Sequence, residues 1–239
     1  MITKFKNYQE LSTFAADKIV QLVKFKPAAV LCLAGGDTPA LTYDMVVEMA
    51  TAESVSFAAV TLIGLDEWVG IERTMPGSCY HFLQHKIFDP LQISQHQIHF
   101  FNPMAHDLQK ECNRINTSVQ NAGGIDLALV GIGLNGHIGF NEPGVDSSLN
   151  AHVVELDKVT TTTGQKYFTT STPLALGITL GIAQLLSAGE VLLMASGTKK
   201  ANIVRQALQE PVSNVVPASL IASHPATLVL LDEEAAAEL

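Results

Sequence analysis

The stretch "IDLALVGIGLNGHIGFNEPG", Ile125–Gly144, decides the fold. An apolar run over 125–132 leads into residues 131–144, which hold five glycines, one histidine, one glutamate and two asparagines. The run has strand length and no period-two alternation, as expected of a strand covered on both faces. Gly131, Gly133 and Gly136 match G-x-G-x-x-G, and Glu155 and Asp157 follow at about the spacing of a dinucleotide fingerprint. That fingerprint needs a helix to open at its third glycine. Here "HIGFNEPG" follows, and Pro143–Gly144 stop a helix within two turns. A dinucleotide site is therefore rejected. In the remaining functional reading, the glycines bring backbone close to a ligand and present Asn135, His137 and Glu142 to it. A lone histidine is often structural, but one with a carboxylate near enough to orient its ring is an acid/base candidate.

Similar apolar runs recur at 28–34, 59–65, 97–101, 190–196 and 226–232, with helix-like spacing between them over 11–23, 40–50 and 200–209. Alternation of this kind predicts an α/β fold: a single domain over 1–239, built on an open, doubly wound, mostly parallel sheet with helices on both faces. Ligands of such sheets sit beyond the carboxyl ends of the strands. The turns that follow the runs are "GGDTP", "DEW", "GLNGHIGFNEP" and "GTKK", more polar and glycine-rich than fold maintenance asks for. They imply one composite site.

Each turn carries its own chemistry beside a plainer alternative. In "AGGDTPALTYDMV", Thr38 is expected at the N-cap and Pro39 at the first helical position. Gly35 and Gly36 expose backbone N–H groups suited to a phosphate, although an ordinary strand-to-helix turn uses the same residues. Asp37 opposes a bound dianion unless its side chain turns away to cap the helix. In "GTKKANIVRQAL", Lys199 and Lys200 fall in a predicted first helical turn, where cations oppose the macrodipole unless an anion is bound; solvated surface lysines are the alternative. In "LDEWVG", Asp66 and Glu67 end a strand on opposite faces, so one of them is expected to face a cleft as a general base, and a surface turn or cap is the alternative. Trp68 is either core or wall. The segment 160–177, "TTTTGQKYFTTSTPLALG", is hydroxyl-rich and contains Lys166; it reads either as a lid that excludes water or as an exposed loop with a short helix.

Composition excludes several classes. The 239 residues are 47% apolar and 15% charged, with net charge −9, the opposite of a disordered chain. The 14 basic residues form no run, so no nucleic-acid partner is expected. The start of the chain has no signal-type apolar region and no run reaches membrane-span length, which predicts no membrane partner and a cytoplasmic location. Cys32, Cys79 and Cys112 show no CxxC pairing and fit buried thiols in a reducing compartment. His81 and His85 stand four apart without an HExxH pattern, so no metal site is expected, and no G-x-S-x-G elbow occurs. A homo-oligomer is compatible with this sequence.

Taken together, these motifs resemble those of the glucosamine-6-phosphate deaminases and their isomerase relatives. "GIGLNGHIGFNEPG" looks like that family's active-site signature, and "GGDTP", "LDEWVG", "GSCYHFLQHKIFDPL" and "VLLMASGTKKANIV" keep the family's order and spacing over nearly the whole chain. The more distant 6-phosphogluconolactonases, the alternative, share the fold and a G-x-G-x-D-G-H core but not the continuation at Phe140–Pro143. "LDEWVGIERTMPGSCYHFL", "GITLGIAQLLSAGEVLL" and "VPASLIASH" look nearest to the galactosamine-6-phosphate isomerase branch.

The resemblance implies a cofactor-free isomerisation of a hexosamine 6-phosphate coupled to loss of ammonia. It implies that Asp66 moves a proton between C2 and C1, that His137 assists ring opening, and that Glu142 orients His137. Gly35, Gly36, Asp37, Thr38, Gly136, Lys166 and Lys200 are implied around the substrate and its phosphate, with glycine-rich backbone supplying donors to the enolamine. Three positions depart from the pattern. Asn135 stands where many deaminases carry Asp, which shifts electrostatic work on His137 to Glu142. Lys166 replaces an arginine and loses bidentate recognition. His152 and Val154 stand where allosterically regulated members carry two basic residues, so no such activation is expected.

Overall fold

Ten strands and eight α-helices alternate along the chain in a computed structural model that describes residues 1–239. The strands are β1 (Ile2–Phe5), β2 (Val30–Leu33), β3 (Thr61–Gly64), β4 (Asp66–Trp68), β5 (Ile98–His99), β6 (Leu127–Gly131), β7 (His152–Glu155), β8 (Leu176–Thr179), β9 (Glu190–Ala195) and β10 (Thr227–Asp232). The helices are α1 (Tyr8–Phe25), α2 (Asp37–Ala52), α3 (Cys79–Leu83), α4 (Leu108–Asn121), α5 (Lys158–Gly164), α6 (Ile182–Leu186), α7 (Ala201–Gln209) and α8 (Pro217–Ala222).

Seven strands form one sheet in the order β1-β10-β9-β6-β2-β3-β5, every pairing parallel. The expected doubly wound α/β sheet is therefore what forms. Its strands lack a polar face because both faces are covered. Leu31, Leu33, Leu129 and Leu192 cluster with Leu11, Ile19, Tyr43 and Val46 of α1 and α2. Their neighbours Val30, Cys32, Val130 and Leu193 cluster with Ile115 of α4, Val204 of α7 and Ile221 of α8.

From β2 the chain winds outward through α2 to β3 and β5; from β6 it winds the other way to β9 and β10, and the N-terminal β1 adds to the edge beyond β10. The winding reverses between β2 and β6, and the turns beyond their carboxyl ends flank the crevice where ligands of such sheets bind.

A second, antiparallel sheet of order β4-β8-β7 stands beside this edge, with Asp66 opposite Thr179 and Trp68 opposite Gly177. Its strands have three or four residues each, too short to show a period. The expected 160–177 segment divides between α5, a single helical turn at Gln165–Tyr167, a connecting stretch, and the first residues of β8.

At Gly64 the sheet depends on the absence of a side chain. A Cβ there would lie 2.3 Å from the ring of Phe100, which is 2% exposed and packs edge-on against Tyr80 at 5.2 Å. Gly64→Ala must push that ring out of its slot, and overpacking of this kind typically costs about 1–3 kcal/mol. Chemical denaturation should show that loss as a lower midpoint with an unchanged slope.

Candidate active site

A cavity of about 900 Å³ opens over the crevice and takes its walls from the turns after β2, β3, β6 and β9, with α5 and Tyr167 on the opposite side. Four segments at least 26 residues apart thus meet at one place, as expected for a composite site.

The turn after β2 forms one end. Gly36 has φ +104°, a conformation that favours glycine, and α2 begins immediately after it at Asp37. The expected cap is corrected here: Thr38 is the second helical residue and Pro39 the third, and no side chain caps this helix. Proline is tolerated there because first-turn N–H groups have no partner within the helix. Asp37 likewise does not turn back to cap. Its Oδ2 lies 2.6 Å from Lys166 Nζ.

Lys200 projects into the same end and donates from Nζ to the carbonyl of Ile132. It is the last residue of a tight helical turn, Thr198–Lys200, that precedes α7. Burial, and to a smaller degree the nearby Lys166 charge, lower its pKa to about 8. An amine destabilised in this way regains stability when a dianion arrives. The turn itself is held by Asp232, whose carboxylate accepts from the Ser196 hydroxyl and the Gly197 N–H (3.1 Å).

At the other end stand Asp66 and His137. Asp66 is 8% exposed, and burial together with the adjacent Glu67 charge raises its pKa to about 7, opposed by the Cys79 thiol. Glu67 points away from the cavity and is fully buried; its carboxylate accepts from the backbone N–H groups of Trp68 (3.0 Å), Cys79 (2.9 Å) and Tyr80 (2.9 Å). Adjacent carboxylates thus split as strand geometry requires, one gripping α3 and the other facing the cleft. Trp68 is wall and core at once: it lines the cavity, is 4% exposed, and stacks on Phe140 with ring centres 4.5 Å apart.

The His137 ring is held through Nδ1, which lies 2.9 Å from Thr160 Oγ1 and 3.4 Å from Glu142 Oε2. Nε2, on the far edge of the ring, is left for a molecule in the cavity. Burial pushes the Glu142 carboxyl up, but the hydrogen bond and charge of His137, with Thr160 and Asn135, outweigh it and hold it below the ordinary value. Asn135 does not touch the ring: its Nδ2 donates to Glu142 Oε2 (2.9 Å) and its Oδ1 accepts from the His137 backbone N–H (3.3 Å). It therefore acts on the carboxylate behind the imidazole.

The glycines of this loop serve purposes other than those expected. The Gly133 N–H donates to the His137 carbonyl (2.9 Å) and the Gly136 N–H to the Gly133 carbonyl (3.1 Å), so neither is left for an enolamine. Gly136 lies outside the cavity wall; a side chain there would strike Val216 and Ile203. Gly133 makes room for the His137 ring, because a Cβ at that position would fall 2.4 Å from its Nε2.

Gly35, Gly36, Asp37, Thr38, Asp66, His137, Lys166 and Lys200 all line the one cavity, while Asn135 and Glu142 stand directly behind His137. Sequence reasoning missed the role of Thr160, which is indistinguishable from its three neighbours in a threonine run. It also missed Asp232, at the end of a strand with no nearby motif. No group of three or more His, Cys, Asp or Glu side chains is placed to hold a metal ion, the three cysteines are unpaired, and no helix is long and apolar enough to cross a membrane.

Two lysines and a glycine turn that share one crevice with a carboxylate and an imidazole form, on this sheet, an arrangement suited to moving protons on a small phosphorylated molecule. The sequence pattern described as glucosamine-6-phosphate isomerases/6-phosphogluconolactonase matches residues 3–230, and the chain belongs to that family. It is 41% identical to the glucosamine-6-phosphate deaminase of Bacillus velezensis over 233 residues, 97% of this chain and 96% of that one. Against the same-named protein of Shouchella clausii it is 39% identical over 236 residues, 98% and 96% of the two chains. A solved monomeric glucosamine-6-phosphate deaminase superimposes with a TM-score of 0.96 at 36% identity, covering 100% of this chain and 99% of that one. The 6-phosphogluconolactonase of Thermotoga maritima shares the fold, at a TM-score of 0.76 and 18% identity over 97% of each chain.

Proposed function

We propose that the protein converts a 2-amino-2-deoxyhexose 6-phosphate, glucosamine 6-phosphate first among them, into the ketose 6-phosphate and ammonia. The chain is an enzyme of the amino-sugar-phosphate isomerase/deaminase class, as its full-length relatives at 39–41% identity are. The observation that carries the reading is the shared cavity: Asp66 and His137 at one end, Lys166, Lys200 and the Gly36–Thr38 turn at the other.

The chemistry follows from that geometry. The phosphate is gripped by Lys200, Lys166 and the first-turn N–H groups of α2, which fixes the position of the sugar chain. His137 Nε2 moves a proton between the ring and anomeric oxygens, so that the ring opens to an aldehyde. The Asp66 carboxylate takes the C2 proton to give an enolamine and returns it to C1, leaving a C2 iminium. Water adds at C2 and ammonia leaves, so one substrate and one water become one ketose phosphate and one ammonia. Glu142, kept ionised, favours the protonated ring that the transfer creates. The α5–Tyr167 part of 160–177 closes over the sugar and limits water to the one molecule consumed. No cofactor is needed for these steps, and a cytoplasmic location suits a phosphorylated substrate.

Galactosamine 6-phosphate is the second reading, favoured by the "LDEWVGIERTMPGSCYHFL" likeness. A sugar-phosphate lactonase is the alternative on the same scaffold. Ammonia release from both hexosamine 6-phosphates, beside hydrolysis of 6-phosphogluconolactone, tests all three. Equimolar ammonia and ketose phosphate, fastest from glucosamine 6-phosphate, is the expected result; lactone hydrolysis alone would overturn the proposal.

A pH profile follows from the two shifted groups. Asp66 works ionised, so kcat/KM should rise up to pH about 7; Lys200 works protonated, so it should fall above pH about 8. A bound phosphate restores the Lys200 proton, so the profile of kcat should keep the lower limb and lose the upper one. Initial rates at constant ionic strength check both limbs.

A further inference from the structure

Lys166 is already occupied. Its Nζ lies 2.6 Å from Asp37 Oδ2, and both residues line the cavity end that holds Lys200. Asp37 is the first residue of α2, directly after Gly36, so its carboxylate hangs over the turn whose N–H groups a phosphate would use. It makes no capping bond there and its side chain is 69% exposed. Both members of the pair are fixed from behind. The Tyr8 hydroxyl sits 2.9 Å from the carbonyls of Asp37 and Thr38, and Lys166 Nζ rests 4.8 Å from the Tyr167 ring centre. The Asp37 carboxylate lowers the positive charge of the cradle it sits in, and nothing in helix capping requires it.

We propose that Asp37 is a built-in competing anion. In the ligand-free protein it takes the place at Lys166 that a substrate phosphate claims, and so lowers the affinity of the subsite for a phosphate. This inference rests on the functional reading above and assigns Asp37 a role opposite to the phosphate-binding one expected from its motif. An exposed ion pair is weak and easily displaced, but the displaced carboxylate stays close to the incoming dianion and repels it. Free phosphate and a sugar phosphate meet the same repulsion, and the sugar phosphate gains its extra affinity from the Asp66–His137 end.

Asp37→Asn keeps the shape and removes the charge, and Asp37→Ser at the same exposed position is the second variant. In both, the Kd for inorganic phosphate by titration calorimetry at low salt should fall about tenfold, as expected when a like charge is removed beside an anion. The KM for the hexosamine 6-phosphate should fall by a similar factor, because its phosphate meets the same charge. Phosphate affinity that is unchanged or weaker in both variants would overturn the proposal, because Asp37 would then serve only to orient Lys166. A wild-type protein that releases no ammonia from either hexosamine 6-phosphate would instead overturn the functional reading, and the phosphate titration would still decide the role of Asp37.

Discussion

Replacing Asp66 by Asn is expected to lower kcat by about 10³- to 10⁴-fold while leaving sugar-phosphate affinity within a few-fold of wild type. Loss of a positioned general base accounts for a factor at the upper end of the usual range, and here no second carboxylate stands beside Asp66 in the cavity: Glu67 points the other way and is held by three backbone N–H groups. The diagnostic is exchange of the C2 proton with solvent, followed by deuterium incorporation, which should vanish in Asp66→Asn even where the phosphate remains bound. Near-wild-type exchange would remove Asp66 from its role. The same substitution has a stability signature. With its pKa raised from 3.8 to about 7, neutral Asp66 favours the folded state fully below the unfolded value, and that contribution is lost as pH rises through about 7. Thermal melts of the Asn variant should therefore show a flatter decline between those limits than the wild type.

The second large effect is expected at a residue that touches no substrate. Gly133→Ala would place a Cβ 2.4 Å from Nε2 of His137, well inside contact distance. The ring must leave its contacts with Thr160 and Glu142, and the site loses its proton-transfer group without losing the histidine. We expect kcat to fall by about 10²- to 10³-fold, within the range for general acid–base catalysis. His137→Gln should match it, and both should slow the cyclic substrate more than an open-chain analogue. Equal losses on the two substrates would argue against a ring-opening role for the imidazole. A Gly133→Ala protein as active as wild type would show that the ring does not work from this position.

These effects mark where sequence reading succeeds and where it stops. Six strands of the parallel sheet were legible because each falls in an apolar run, and Leu31 and Val30 show the covering of both faces by packing into opposite cores; the edge strand β1, "ITKF", has no such run and was not. The second sheet was not, because β4 has three residues and β7 reads "HVVE", too little for a period to emerge. At the site, Asp66, His137 and Lys200 stood out because each follows an apolar run, and position beyond a strand end is a spatial statement that sequence order already contains. What the glycines do was not legible. Nothing local to "GIGLNG" says that Gly133 yields its volume to a ring four residues on, or that its N–H closes the loop on itself. Thr160 and the pairing of Asp37 with Lys166 escaped for a related reason. Their partners, His137 and Lys166, are 23 and 129 residues away, and only the folded arrangement pairs them.

The most direct measurement is a crystal structure with an open-chain amino-alditol 6-phosphate, which cannot react. The phosphate is expected between Lys200, Lys166 and the N–H groups at Gly36–Thr38, with Asp37 drawn away from Lys166, C2 beside the Asp66 carboxylate, and the C1 oxygen at His137 Nε2. A phosphate bound elsewhere, or a sugar chain that reaches neither Asp66 nor His137, would contradict the account.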